Sequence, residues 1–232
     1  MTALTQYNFI FLNKTNIVEV RQLRSRGCNV YFLERDGESF LIDTGTPASG
    51  RLIESQIKSV DGILITHAHF DHIGSAAFLQ KKFGCEVFAH ERDLPYLRGI
   101  DKLKYSGFLG KFASFAEKFF RVEYPKVVKS IDEIAEVFST EEIKDANNKD
   151  FAVIHTPGHT PGSVCIKVRE KLICGDLFRK RRKVGLSPKA FCSDYSAYLN
   201  SIKAVMTLDF IFALPGHGSS ITKEEIEVVS KL

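Results

Sequence analysis

Four side chains able to hold a metal ion, His67, His69, Asp71 and His72, fall within six residues in the stretch Ile-Leu-Ile-Thr-His-Ala-His-Phe-Asp-His-Ile-Gly at positions 63–74. Neutral imidazoles and an ionised carboxylate are the nitrogen and oxygen donors that zinc accepts at neutral pH, and that iron or manganese accepts as well. The run at 63–65 just before them is short and apolar, as in a buried strand. In an extended segment residues two apart point the same way, so His67 and His69 can close on one ion. Asp71 and His72, at the start of a helix, must aim elsewhere, and one cluster therefore suggests two metals. A lone His-x-His is commonplace and any one of these histidines would pass for an ordinary core or surface residue. Four donors in six positions are harder to dismiss.

Three further apolar runs are each followed by a donor. His159 stands in Thr-Pro-Gly-His-Thr after 151–155, Asp176 in Cys-Gly-Asp after 172–174, and His217 in Pro-Gly-His-Gly after 210–214. Taken singly, a Gly-Asp or a Gly-His-Gly is a turn. Four strand ends that all carry donors imply that the donors meet at one edge of a sheet, where loops on a rigid scaffold build sites. The neighbouring glycines, Gly158, Gly175, Gly216 and Gly218, permit close approaches that a side chain forbids.

The elements that must position these residues are legible as an alternation. Runs at 7–12, 17–20, 28–33 and 39–42 read as a hairpin-rich sheet. A helix follows at 47–57 with Leu52, Ile53 and Ile57 on one face, then a strand at 63–65, a helix at 73–83 and a strand at 85–89. The second half reads as strands at 151–154, 164–168, 172–174 and 210–214, with helices at 195–206 and 222–231. The polar run at 140–150 reads as a helix end and loop, too short for a linker. The expectation is one α/β domain over 1–232, with a helical Phe-rich insertion at about 97–125. There Phe108, Phe112, Phe115 and Phe119 recur at helical spacing among Lys102, Lys104, Lys111 and Lys118. Such a face packs on the core or on a second copy, a homodimer being compatible with it, or it forms a lid in which Phe108 and Phe112 offer an apolar wall to an acyl chain.

Composition is that of an ordinary globular protein, 44% hydrophobic and 26% charged. No apolar run is long enough to cross a bilayer and the N-terminus lacks the pattern of a signal peptide, so a cytoplasmic protein without a membrane partner is expected. Five widely spaced cysteines with no Cys-x-x-Cys read as reduced, buried thiols. A net charge of +4 is too small to point to nucleic acid, but it favours a small anionic substrate. Five consecutive cations at 179–183 begin three residues after Asp176. Arg179 and Arg181 are therefore candidates to hold a carboxylate or phosphate through bidentate contacts, and no second basic motif supports nucleic-acid binding by the same run.

On Asp43-Thr44-Gly45, His67-x-His69-x-Asp71-His72, His159, Asp176 and His217, the chain resembles the metallo-β-lactamase superfamily of hydrolases over essentially its whole length. The resemblance implies a four-layer αββα sandwich. It implies two divalent metal ions, zinc first and iron or manganese next, the first on His67, His69 and His159 and the second on Asp71, His72 and His217. Asp176 would bridge them and Asp43 would orient a ligating imidazole from below. It implies hydrolysis of an ester, thioester, lactone or phosphodiester by a hydroxide held between the metals, with Asp71 and His217 assisting proton transfer or departure. With these seven donors in place, His90 and His155 are read as packing groups or as supports behind the ligands, not as ligands.

Where true β-lactamases of this superfamily tend to carry Cys or Ser, this chain has Asp176. The full donor set looks more like glyoxalase II and the related thioesterases, lactonases and phosphodiesterases, so antibiotic hydrolysis is not expected. The basic run replaces the Gly-Cys-Gly-Arg or Gly-Cys-Gly-Lys element of glyoxalase II, and only fifteen residues follow His217, which argues against a glutathione thioester. Arg179 stands where lactonases often have Tyr. Two alternatives remain in view: a mononuclear iron enzyme of the persulfide dioxygenase type using His67, His159 and Asp176, and a noncatalytic metal-binding protein on the same scaffold.

Overall fold

The computed structural model of the chain describes residues 17–35, 37–103, 119 and 122–230. The expected strand at 7–12 and the phenylalanines Phe108, Phe112 and Phe115 lie outside these residues.

Strands β1 (Ile17–Leu23), β2 (Val30–Arg35) and β3 (Glu38–Ile42) form antiparallel hairpins, and β4 (Gly62–Leu64), β5 (Glu86–Ala89) and β6 (Val128–Ser130) add to β3 in parallel. A second sheet holds β7 (Val137–Phe138), β8 (Phe151–His155), β9 (Val164–Val168) and β10 (Lys171–Lys180). It continues with β11 (Val184–Gly185), β12 (Phe212–Gly218) and β13 (Ile221–Thr222). Its order is β13-β12-β10-β9-β8-β7, with β11 on β10.

Alternate residues of a strand face opposite ways, and burial follows that period. Tyr31, Leu33, Ile42, Leu64 and Phe88 of the first sheet meet Val153, Val164, Ile166 and Ile173 of the second. Their sequence neighbours Phe32, Leu41, Ile63 and Val87 turn outward onto Ile53, Ile57, Ala76 and Leu79, from the helices Gly50–Glu54 and Ala76–Phe83 and the loop between β3 and β4. On the other side, Ile154, Cys165, Leu172 and Cys174 turn outward onto Tyr198, Ile202 and Val205 of the helix Tyr195–Val205 and Ile226 of Lys223–Ser230. Helix, sheet, sheet and helix make the expected αββα sandwich. Each enclosed aliphatic side chain stabilises it by roughly 1.5–3 kcal/mol.

Several boundaries differ from those read in the sequence. The helix expected at 73–83 begins as Phe70–Ile73, breaks at Gly74 and Ser75, and resumes as Ala76–Phe83. The one expected at 47–57 is a 3-10 turn, Pro47–Ser49, running into Gly50–Glu54. Strands β10 and β12 do not stop at 174 and 214. Their parallel pairing breaks register on both sides of Gly175 and then resumes with Arg179 opposite His217. Asp176 and His217 therefore sit inside strands, because Gly175, at φ 48°, acts as a bulge and not as a terminator. Leu103 and Val122 pack against the outer core of the first sheet. All five cysteines are free and buried, and no helix among the described residues is long and apolar enough to cross a membrane.

Candidate metal centre

The centre starts where β3 and β4, parallel neighbours, both end. The Asp43 N–H donates to the Leu64 carbonyl at 2.9 Å, the Thr44 N–H to the His72 carbonyl at 2.8 Å, and, from the other sheet, the Val164 N–H to the Thr66 carbonyl at 2.9 Å. These bonds fix the 66–72 segment between the sheets. His69, in extended geometry, is the N-cap of the helix Phe70–Ile73, so the chain changes direction between the first pair of donors and the second. Asp43 itself adopts φ 61°, a left-handed conformation that costs about 1 kcal/mol or more and persists because its side chain is over-determined.

Two groups of donors result. The ligand atoms of His67, His69 and His159 lie within 4.8 Å of one another, and so do those of Asp71, His72 and His217. His67, His72 and Asp176 form a further group that joins the two. Asp176 Oδ1 is 3.3 Å from His72 Nε2, and its Oδ2 is 3.6 Å from His159 Nε2 and 3.4 Å from His217 Nε2. Asp71 Oδ2 lies 3.3 Å from His217 Nε2. Gly216 permits this crowding: a Cβ there would come within 2.5 Å of Asp176 Oδ1 and 2.6 Å of His72 Cε1.

The Nε2 atoms of His67, His72 and His159 and Oδ1 of Asp176 are buried without a hydrogen-bond partner. A buried polar atom left unsatisfied costs roughly 1–3 kcal/mol, and four that converge are donors of the kind a metal ion would satisfy. Imidazole nitrogens on one side and mixed nitrogen and carboxylate donors on the other fit a pair of divalent ions.

The orientation of the donors is set from below. Asp43 accepts from the Thr66 N–H at 2.8 Å, from the Thr66 hydroxyl at 2.7 Å and from His72 Nδ1 at 2.8 Å, which leaves His72 Nε2 to face the site. Because the Thr66 hydroxyl proton is given to Asp43, its oxygen accepts from His67 Nδ1 at 3.0 Å, and His67 Nε2 keeps its lone pair. His159 Nδ1 lies 3.8 Å from the Cys192 thiol.

Charge divides the two groups. Burial, reinforced by neighbouring imidazoles, pushes His67 and His69 well below the ordinary histidine range, and burial holds His159 down to about 4 despite Asp176. Burial opposes protonation of His217 too, but Asp176 and Asp71 outweigh it and raise it to about 9. His72 is likewise raised well above the ordinary range, burial being outweighed by Cys28, Asp43 and Asp176. Asp71 goes down to about 2, burial being overcome by the hydrogen bond with His217, and Asp176 goes well below the usual carboxylate range, burial being overcome by His217 and His72.

The remaining candidates separate. His90 and His155 stack on each other at 3.9 Å between ring centroids and join none of these donor groups. Arg179 is paired in register with His217, while Arg181 lines a cleft of about 920 Å³ together with Arg24, Asn29, Gly216 and His217. Phe108 and Phe112 lie outside the described residues. Cys28 groups with Asp43 and His72, but those two are already bonded to each other. The sequence reading missed Thr66, Asn29, Arg24, Asp93 and Ser187, whose hydroxyl donates to the Asp176 carbonyl at 2.7 Å. None belongs to a spaced motif, and only for Thr66, beside His67, was there a positional hint.

A sequence model of the metallo-β-lactamase superfamily matches residues 23–217. An uncharacterized protein of Mycobacterium leprae is 31% identical over 84% of this chain and 88% of its own. A probable metallo-hydrolase of Bacillus subtilis, YflN, is 28% identical over 84% of this chain and 81% of its own. The crystal structure of TTHA1623 in a di-iron-bound form is similar with a TM-score of 0.64 at 28% identity, covering 88% of this chain and 94% of that one.

Proposed function

The chain belongs to the metallo-β-lactamase superfamily, and from that premise we propose that it is a binuclear metal-dependent hydrolase of a small anionic ester, thioester, lactone or phosphodiester. The observation that carries this reading is Asp176, which reaches both donor groups at once while the buried nitrogens around it lack partners. His67, His69 and His159 would hold one ion, Asp71, His72 and His217 the other, and Asp176 would be shared. When bound, such ions supply Lewis acidity and lower the pKa of a coordinated water to about 7. Zinc suits the donors, and the di-iron form of TTHA1623 supports iron equally.

The chain's own residues do the rest. Asp43 and Thr66 hold His72 and His67 in the tautomers that present Nε2. The side chains of Asp71 and His217 are 20% and 15% exposed, so this pair faces entering substrate and can accept or return a proton. Besides His217, the charged side chains that line the adjoining cleft among the described residues are Arg24 and Arg181, which suits a substrate carrying a carboxylate or phosphate at a distance from the scissile bond. The convergence of Asp71, His72 and His217 favours this reading over a mononuclear oxygenase, which has no use for them.

Elemental analysis and a panel of esters, thioesters, lactones and phosphodiesters, each with and without a terminal carboxylate, test the proposal on the wild type, Asp176→Ala and the double variant Arg24→Ala/Arg181→Ala. Two ions per chain and turnover are expected in the wild type, with both lost in Asp176→Ala. The preference for acidic substrates should disappear in the arginine variant. Unchanged metal and turnover in Asp176→Ala would remove that residue from the site. One iron with oxygen uptake would favour the oxygenase, and full metal without turnover on any member the noncatalytic alternative.

A further inference from the structure

Asp93 is fully enclosed, in a 3-10 turn, Glu91–Asp93, that follows β5, and the chemistry above does not use it. Its Oδ2 accepts from the Ala68 N–H at 2.9 Å and from the Thr160 hydroxyl at 2.6 Å, and its Oδ1 accepts from the Gly162 N–H at 2.6 Å. Ala68 lies between His67 and His69, and Thr160 follows His159. One carboxylate thus joins the two main-chain segments that deliver all three histidines of the first donor group. These segments come from different sheets and are more than ninety residues apart in sequence, 68 against 160, so no local turn can set their separation.

The bonding pattern demands a carboxylate. Three donors meet two oxygens, and an amide would turn an NH₂ group against at least one of them. The Thr160 oxygen also lies 2.8 Å from Ser163 Oγ, which steadies the hydroxyl. The fit on the far side is equally close: a Cβ at Gly162 would come within 2.6 Å of Asp93 N and 2.7 Å of its Cγ. Burial pushes the Asp93 carboxyl up to about 6 against the pull of these hydrogen bonds, so it is ionised, and accepts only, under mildly alkaline conditions. None of these bonds goes to Asp71, His72 or His217; of these, His72 is held by Asp43 and the His217 segment by Asn29.

We propose that Asp93 is a positioning residue for one ion only: it holds the His67–His69 segment and the His159 segment at the spacing the first metal requires, and the second site does not depend on it. This rests on the binuclear reading above.

The test is zinc binding at mildly alkaline pH by wild type, Asp93→Asn and Thr160→Val, by chelator competition for each affinity and elemental analysis for stoichiometry. The cobalt(II) absorption spectra of His69→Ala and His217→Ala identify which site is filled. The circular dichroism and melting of each metal-free protein are recorded beside them. Asp93→Asn should lose about 10–100-fold in affinity at the first site with the second unchanged, and Thr160→Val should shift the same site in the same direction by less. Wild-type affinity at both sites in either variant, or an equal loss at both, overturns the proposal, the latter showing a merely structural carboxylate. Should Asp93→Asn fail to fold, Thr160→Val decides by the same criterion. A wild type that binds no zinc, iron or manganese instead sinks the binuclear reading, and this inference with it.

Discussion

The two donor groups are both built on histidine, the second with Asp71 in place of a third imidazole, and they are held in opposite ways. His67, His69 and His159 are 1%, 7% and 3% exposed, and a hydroxyl, a thiol and main-chain bonds position them. Burial disfavours the charged form of each, leaving neutral imidazoles. Asp71, His72 and His217 are strapped to one another and to Asp43 and Asp176 by acid–imidazole contacts, and part of the group opens to the cleft. Burial alone makes a closed socket of neutral ligands. Burial with counter-charges makes a site that holds protons until a cation displaces them. On the reading proposed above, the first half is built to retain an ion and the second to meet substrate.

The largest effect that could break this contrast comes from deleting one ligand from each half. His69→Ala and His217→Ala should each lower turnover by more than the roughly 10–100-fold typical of losing a supporting residue. Each should keep one ion per chain, His217→Ala retaining the buried one. Equal loss of both ions from both variants, measured by elemental analysis after dialysis, would erase the distinction. A smaller effect is expected from Asp43→Asn, which withdraws the charged acceptor from His72 Nδ1. The second ion should weaken by about 10–100-fold and the first by less, since Asp43 reaches His67 only through Thr66.

The smallest effect lies at His90, a histidine with depressed proton affinity and no donor group around it. Burial first, then His155, holds it down to about 4 against an ordinary value of 6.5. Between those values the unfolded chain binds more protons than the folded one, so stability is full above pH 6.5 and is lost as pH falls toward 4. In His90→Gln, urea melts across that window should show a shallower slope than wild type. An unchanged slope would mean that burial at this site does not act as it does at His67.

Why some of this was legible and some was not follows from distance along the chain. His67 through His72 announced themselves because metal chemistry needs several donors and a turn of chain supplies four. The apolar runs gave an alternation of strands and helices, because burial writes itself into strands such as 30–33 and 164–168, while the sandwich itself followed only from the family resemblance. Asp93 could not be read, since its partners lie 25, 67 and 69 residues away and a lone Asp two residues before a Pro looks like a helix cap. Asn29 is further still from the residues it holds. Strands of two or three residues, such as β7, β11 and β13, carry no period to detect. The strands read as ending at 174 and 214 run on past Gly175 and Gly216, because the neighbouring strand supplies pairing partners beyond each.

His217 arrives on the second sheet, but the first sheet fastens it. Asn29 donates from its N–H to the Gly216 carbonyl at 2.7 Å and from its amide to the carbonyls of Pro215 and Gly218 at 2.8 and 2.7 Å, and the Tyr31 hydroxyl donates to Pro215 at 2.7 Å. On the binuclear reading proposed above, a cation gripped by Asp71 and His72 from one layer and His217 from the other would be a rivet through the same seam. Loading the metal and clasping the two halves of the chain are then a single thermodynamic event, and whatever slides one layer against the other is felt first where the bond is cut.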